Sequence, residues 1–301
     1  MKIEHSILLS MVAFFLTSCF TDSKVDYLAD GYYSNIYKAD SLYIEKEYEK
    51  SYEIFEKVFS KFDPIDMDVY NEVSTYVKLK IILDKDLKYK EYTDLMSIYG
   101  YPDIFLKKDS VLKIYYKRVK DKLDEEIPVL KEAYTSSLNM DLRNKILRMK
   151  VEDQRFRGNG GGNWDKQNKI DSINTQELIN IFDTYGFPSK KMIGSSLVDG
   201  QHASISTLLL HTDDSIREHY FIPKILSYVR EGKANPRLVG FMYDQLLLYN
   251  GDEQYYGTYN SSKPMTATPK EINQRRDSIG LSKLGYEDWR NNILYPDFDE
   301  Y

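Results

Sequence analysis

Residues 36–62 read IYKADSLYIEKEYEKSYEIFEKVFSKF. Apolar and aromatic side chains recur here every three or four residues, which is the spacing of an amphipathic helix that packs one face into a core. The dipeptide Asp63-Pro64 follows and is typical of a helix end. The stretch therefore predicts a mostly α-helical fold, and the residues expected on its buried face are Ala39, Leu42, Tyr43, Tyr48, Tyr52, Phe55, Val58, Phe59 and Phe62.

The same stretch resembles one helical hairpin of the tetratricopeptide type, because small Ala39 and Ser51 accompany a turn at Tyr48-Glu49-Lys50. No clean second copy follows. Further helices are predicted at 69–83, 89–98 and 110–123, and Pro128, which lacks an N–H, is expected to open another. We predict a tetratricopeptide-like array over residues 36–138. Its aromatic positions fit either burial against neighbouring helices or a concave face that grips a partner peptide.

The first residues carry an apolar run from Ile7 to Leu16 that ends in Leu16-Thr17-Ser18-Cys19. Ten helical residues rise about 15 Å, half the hydrocarbon thickness of a bilayer, so the run is too short to span a membrane. The tetrad resembles the lipobox of bacterial lipoproteins, and Cys19 is the only cysteine.

That resemblance implies a signal peptide over residues 1–18, cleavage before Cys19 and acylation of Cys19, for example with palmitate. The chain would then be a membrane-anchored lipoprotein of the cell envelope. Phe20 stands where Asp would favour the inner membrane, which implies the outer membrane, with either face possible. The alternative is a plain secretory signal with an accidental cysteine. Residues 19–35 are expected to form a linker.

Composition excludes several classes of protein. The net charge is −6 without a basic stripe, which argues against nucleic-acid binding. Once Cys19 is acylated, no cysteine remains for disulfides or zinc. A metal site formed by His202, His211 and His219 is disfavoured because their spacings of nine and eight do not place them on one helix face. No cofactor is indicated.

The composition changes near residue 150, since 13 of the 15 glycines follow that point. We predict an irregular α-helical domain with long loops over residues 139–301. Its expected helices are 140–157, 175–185, 202–211, 215–230, 238–249 and 286–294. The run Gly158–Asn163 predicts a mobile loop, and the lack of a following Gly-Lys-Ser/Thr excludes a phosphate loop.

Over about residues 140–294 the chain resembles an uncharacterised bacterial family of helical domains. The shared pattern comprises Asp153-Gln154-x-x-Arg157, Asp165 with Asn168, Gly186-Phe187-Pro188, His211, Asp244, Gln254-x-Tyr256-Gly257-Thr258, and Arg276-x-x-x-Gly280-Leu281. The chain departs from it at Leu210, where Gln is expected, and at Gln245, where Arg is expected. The resemblance implies a mostly helical domain and no particular activity.

Polar residues of this pattern form the predicted site, with three possible roles. A polar cluster of this kind binds a polar ligand or protein partner, or it only ties loops together as in a structural scaffold. An envelope hydrolase is the third possibility, with His211 as a base held by neighbouring Asp213 or Asp214. In that enzyme Arg157 or Arg276 would hold an anion. The candidate residues are Asp153, Gln154, Arg157, Asp165, His211, Asp244, Gln254, Tyr256 and Arg276.

Overall fold

A computed structural model describes residues 25–158, 162–196, 198–259, 261 and 263–296. Within these ranges the regular structure is helical and contains no strand, which confirms the predicted mostly α fold. None of the helices there is both long and apolar enough to span a bilayer. The predicted signal peptide, Cys19 and the middle of the predicted glycine loop lie outside the described residues.

Within the described residues, the first half contains six helices and the start of the second half contains two. Their bounds are α1 Tyr32–Ile44, α2 Tyr48–Phe59, α3 Glu72–Ile82, α4 Tyr89–Ser97, α5 Asp103–Lys108, α6 Leu112–Ser136, α7 Met140–Asp153 and α8 Trp164–Tyr185.

Shorter helices follow along the rest of the chain. They are α9 Lys190–Ile193, α10 Ser206–Leu210, α11 Asp214–Ile216, α12 Ile222–Arg230, α13 Arg237–Tyr249, α14 Pro269–Ser278 and α15 Tyr286–Leu294. A π-helical turn at Arg217–Phe221 joins α11 to α12.

Helices α1 and α2 form the predicted hairpin. The hydroxyl of Ser51 donates to the carbonyl oxygen of Ala39 at 2.7 Å, and both residues are fully buried. Small residues at these positions let the two helix backbones approach closely. The tetratricopeptide character of the hairpin stays a prediction.

Pro128 does not open a helix, and that prediction is wrong. Pro128 lies inside α6, at an exposed position. The helix continues through it because burial of Leu123 on one side and Tyr134 on the other holds both of its halves in place. A proline removes one hydrogen bond from a helix, and tertiary packing here offsets that loss.

Helix α1 belongs to a core that also contains residues of the second half. Tyr32, Tyr33 and Ile36 are buried in one apolar cluster with residues as distant as Leu142 and Phe221. The Tyr33 hydroxyl donates to the Val229 carbonyl oxygen at 2.7 Å. The division at residue 138 stays a prediction, and any such division would cut through this shared core. Residues 32–35, predicted as linker, already belong to α1.

One helix begins earlier than predicted and another was not predicted, and in both a side chain caps the first turn. Helix α8 begins at Trp164, eleven residues before the predicted start, and the Asn163 side chain accepts from the backbone N–H of Lys166 at its first turn. Helix α14 was not predicted. It begins with a capping box in which Thr268 and Glu271 satisfy each other's backbone N–H groups.

Two predicted helices of the second half are shorter than expected. Helix α7 ends at Asp153 instead of Arg157, and α10 covers only Ser206–Leu210 of the predicted 202–211. Both shortened ends carry residues of the predicted site.

Candidate functional site around His211 and Asp153

The ends of α7 and α10 meet through a pair of side chains. Nδ1 of His211 lies 2.8 Å from one carboxylate oxygen of Asp153 and 2.9 Å from the other. An ionised carboxylate only accepts hydrogen bonds, so Nδ1 carries the proton in this arrangement. In a neutral imidazole Nε2 is then an acceptor. Asp153 is 1% exposed, whereas 22% of the His211 side chain is exposed.

Polar groups from α7 and α8 surround the same carboxylate. The Gln154 side-chain amide donates to Asp153 Oδ2 at 2.6 Å. Nη2 of Arg157 lies 3.8 Å from Asp153 Oδ1 and donates to Asp171 Oδ2 at 2.6 Å. Gln167, which is fully buried, bridges the Asp153 carbonyl oxygen and Asp171 Oδ1, both at 2.8 Å. The cluster therefore holds Asp153 in place from several sides.

The carboxylate that holds His211 is not the one that the sequence suggested. Asp213 accepts from the backbone N–H groups of Ser215 and Ile216 and so caps α11. Asp214 lies 3.5 Å from Arg217. Helix α11 begins at Asp214 and is capped by the Asp213 side chain, so the carboxylate two positions after His211 is not its partner.

Four other candidate residues organise one loop. The Asp244 carboxylate accepts from the backbone N–H groups of residues 255, 256 and 258 at 2.7 to 2.8 Å, and from the Thr258 hydroxyl at 2.7 Å. Gln254 Oε1 accepts from the backbone N–H of residue 259 at 2.7 Å. Arg276 donates to the carbonyl oxygens of Tyr256 at 2.8 Å and of residue 282 at 2.6 Å.

This second group is buried and bonded within the protein. Asp244 is 0% exposed, Gln254 is 5% exposed and Arg276 is 6% exposed. Burial raises the pKa of the Tyr256 hydroxyl to about 12, so this tyrosine stays neutral. The arrangement fits a loop-fixing role.

Arg217 connects the two groups, and the sequence did not single it out. Its guanidinium donates to Gln245 Oε1 at 2.8 Å and to the carbonyl oxygens of Leu210 at 2.7 Å and Thr212 at 2.6 Å. These carbonyls flank His211, while Gln245 follows Asp244 in α13. Gln245 thus contacts Arg217 through its side chain, and Leu210 contacts Arg217 through its backbone.

Asp165 joins neither group. It is exposed in the first turn of α8, where a carboxylate stabilises the positive end of the helix dipole. The structure thus brings together Asp153, Gln154, Arg157 and His211, and separately joins Asp244, Gln254, Tyr256 and Arg276 through one loop.

A buried arginine that the sequence analysis missed supports α10 from the other side. Arg143 is 0% exposed and pairs with Asp199 at 2.5 and 3.1 Å. It also donates to the carbonyl oxygens of Ile193 at 2.7 Å and Gln201 at 2.6 Å. The guanidinium lowers the pKa of the Asp199 carboxyl below its usual value. Arg143 thereby fixes the segment that leads into α10.

Two cavities of about 710 and 750 Å³ lie elsewhere in the protein. Neither is lined by a residue of the predicted site, so His211 faces solvent outside both cavities. Among the residues that the structure describes, no group of three or more His, Cys, Asp or Glu side chains is placed to hold a metal ion.

No protein family, curated protein or solved structure was found to match the chain. Fold and site geometry therefore carry the functional argument. They define a mostly α-helical protein with a buried aspartate that orients a partly exposed histidine.

Proposed function

We propose that this chain is a lipid-anchored protein of the bacterial envelope, whose second half binds a polar ligand or protein partner at His211. The observation that carries the proposal is the hydrogen bond between His211 Nδ1 and Asp153. It turns Nε2 of a partly exposed histidine into an oriented acceptor.

The difference between Asp153 and Asp244 supports this assignment. Both carboxylates are buried and multiply hydrogen-bonded, but the donors to Asp244 are backbone groups and the hydroxyl of one loop. The Asp153 carboxylate instead accepts from His211 and lies 3.8 Å from the guanidinium of Arg157, and the side chains of these two residues are 22% and 18% exposed. Neither Nε2 of His211 nor Nη1 of Arg157 has a hydrogen-bond partner among the described residues.

The hydrogen-bonding roles of these two atoms indicate which polar groups the ligand carries. Nε2 of a neutral histidine accepts a hydrogen bond, and Nη1 of an arginine donates one. A ligand that offers both a hydroxyl or amide donor and an oxygen acceptor satisfies the pair. Sugars and peptide backbones both have that chemistry.

Acid–base hydrolysis is the second candidate function, and the Asp153–His211 bond favours it. A carboxylate on Nδ1 orients the imidazole and stabilises the imidazolium that forms when Nε2 takes a proton from water. Arg157 is the arginine beside this pair, whereas Arg276 holds loop carbonyls. In this version Arg157 would hold an anionic group of the substrate.

The anchor would keep the folded part close to the membrane. Tyr27 is fixed by a backbone bond to the Arg230 carbonyl at 2.9 Å and by its hydroxyl to the Asp63 carbonyl at 3.1 Å. The chain between Cys19 and Tyr27 spans at most about 28 Å when fully extended. An acylated Cys19 would therefore hold the helical domain within that distance of the bilayer surface.

Two experiments test the proposal. Labelled palmitate should enter the wild-type protein and not the Cys19→Ala variant, which should also leave the membrane fraction. Label in the variant would contradict the anchor. A melt series with envelope glycans, short peptides and nucleotides should raise the unfolding midpoint for at least one class, because a ligand that binds only the native state stabilises it. No shift in any class would favour the purely structural role.

A further inference from the structure

The larger of the two cavities is a cleft of about 750 Å³ between the loop at 63–68 and three segments of the second half, 187–196, 202–206 and 231–241. This volume lies in the range of sites that bind small molecules. Helix α10 begins at the cleft with Ser206 and ends before His211. Its five residues rise about 7.5 Å, so the cleft and the His211 site are separate.

Charges of both signs line the cleft and balance each other. The cations are Lys190, Lys191, Lys233 and Arg237, and the carboxylates are Asp63, Asp66, Asp68 and Glu231. The carboxylates would repel a polyanion such as a nucleotide, and the cations would repel a polycation. The balance favours a ligand that carries both signs.

The side of the cleft formed by Asp66 and Asp68 has an exposed carboxylate. Lys190 Nζ lies 3.1 Å from both Asp66 and Asp68, and thus shares one positive charge between two carboxylates. Asp66 is buried and also accepts from the Tyr101 hydroxyl at 3.0 Å. Asp68 is 74% exposed. Its carboxylate is available to an ammonium group in the cleft.

The segment 231–237 supplies exposed donors. Lys233 pairs with Glu231 at 2.7 Å and is 54% exposed, and Arg237 pairs with Glu287 and is 47% exposed. Exposed pairs of this kind contribute little to stability, so a ligand carboxylate competes with them at small cost. The ammonium group of Lys233 and the guanidinium group of Arg237 each carry several N–H donors. Each can therefore keep its carboxylate partner in the protein and also bind the ligand carboxylate.

Neutral groups complete the lining. Ser189, Ser196 and Ser204 contribute polar positions, and buried Ile193, Ile205 and Leu238 contribute apolar surface. A short peptide matches this mixture, because it carries backbone amides, apolar side chains and two oppositely charged ends. A neutral sugar would offer no opposite charge to the exposed side chains of Asp68, Lys233 and Arg237.

We propose that this cleft binds a short zwitterionic peptide, with its α-ammonium group at Asp68 and its α-carboxylate at Lys233 and Arg237. This site is independent of the ligand proposed for His211, since none of its residues belongs to that cluster.

Calorimetric titration of the protein with the tripeptide Leu-Ala-Leu tests the proposal. We expect binding with a dissociation constant of about 1 mM or tighter. Acetylation of the amino end or amidation of the carboxyl end should each weaken it by about tenfold, because each removes one charge. AMP and a neutral disaccharide serve as comparison ligands. Equal binding of the doubly capped peptide, tighter binding of either comparison ligand, or no binding of the free tripeptide would overturn the proposal.

Variants assign the effect to the cleft. Asp68→Asn and Lys233→Gln should each weaken binding of the free tripeptide by about tenfold. Lys117→Gln, which changes an exposed lysine on α6, should leave it unchanged. An equal loss of tripeptide binding in the Lys117→Gln protein would indicate a non-specific charge effect and would contradict the proposed site. Two independent cleft variants keep the test valid if one of them fails to fold.

Discussion

Nδ1 of His211 and Oδ1 of Asp153 lie 2.8 Å apart, although 58 residues separate them in the chain. Each residue stands at the carboxyl end of a short helix, Asp153 on α7 and His211 after α10. Packing of these helices brings the two ends together, and Arg143 and Arg217 fix the backbone on either side of α10. The histidine is therefore oriented by the fold and not by its own neighbours in sequence.

Replacing the buried carboxylate tests how much this pair contributes to the fold. Asp153→Asn should lower the free energy of unfolding by about 2–4 kcal/mol, because His211 and Gln154 lose a charged acceptor in a buried position. Urea denaturation measures the change. Asp165→Asn, at an exposed position of α8, is the matched control. Its free energy of unfolding should stay within about 0.5 kcal/mol of wild type. Equal stability of the two variants would argue against a tightly held pair.

Replacing the carboxylate that holds the loop at residues 255–258 should lower stability without removing ligand binding. Asp244→Asn should destabilise the protein by about 2–4 kcal/mol, because three backbone N–H groups lose a charged acceptor. Any ligand found in the melt series should still raise the midpoint of this variant by a similar amount. A folded Asp244→Asn protein that no longer responds to the ligand would place Asp244 in the binding site.

Glu72 should make stability depend on pH. It is fully buried, accepts from the Tyr32 hydroxyl at 2.9 Å, and burial together with the nearby Asp66 charge raises its pKa from 4.5 to about 8. The folded state keeps a proton that the unfolded state releases above about pH 4.5. Its stabilising contribution is therefore complete below that pH and is lost as the pH rises through about 8, by at most about 1.4 kcal/mol per unit.

The neutral variant Glu72→Gln lacks this dependence. Urea denaturation between pH 5 and 8 should show its stability rising steadily relative to wild type as the pH increases. Glu53→Gln, a change at an exposed position of α2, should run parallel to wild type. Parallel curves for Glu72→Gln and wild type would show that Glu72 does not hold a proton in the folded state.

Periodicity in the sequence predicted the helices whose apolar faces are regular. Tyr286–Leu294 has the predicted bounds, and the α1–α2 hairpin lies where its aromatic spacing placed it. Helix α14 has too few apolar residues for that signal. Thr268, Pro269 and Glu271 form a helix-start signature that was available in the sequence and would have found it.

Sequence reasoning named the residues of the polar groups but not their partners. Asp213 is close to His211 in the chain, yet a helix start takes its carboxylate, and Asp153 reaches His211 through tertiary packing. Arg143 and Arg217 were overlooked for the same reason. Arg143 pairs with Asp199, 56 positions away, and Arg217 pairs with Gln245, 28 positions away. Local patterns carry no signal for such contacts.

We propose that Asp153 fixes His211 so that Nε2 faces a polar ligand. Long-range proton–nitrogen NMR of the histidine rings tests it most directly, with the His211 signals assigned by their loss in His211→Asn. At a pH where the ring is neutral, we predict a protonated Nδ1 and an unprotonated Nε2. A compound that raises the unfolding midpoint through this site should shift the Nε2 resonance and leave Nδ1 protonated. A proton on Nε2 in the free protein, or an unchanged Nε2 resonance when every stabilising compound is saturating, would contradict the account.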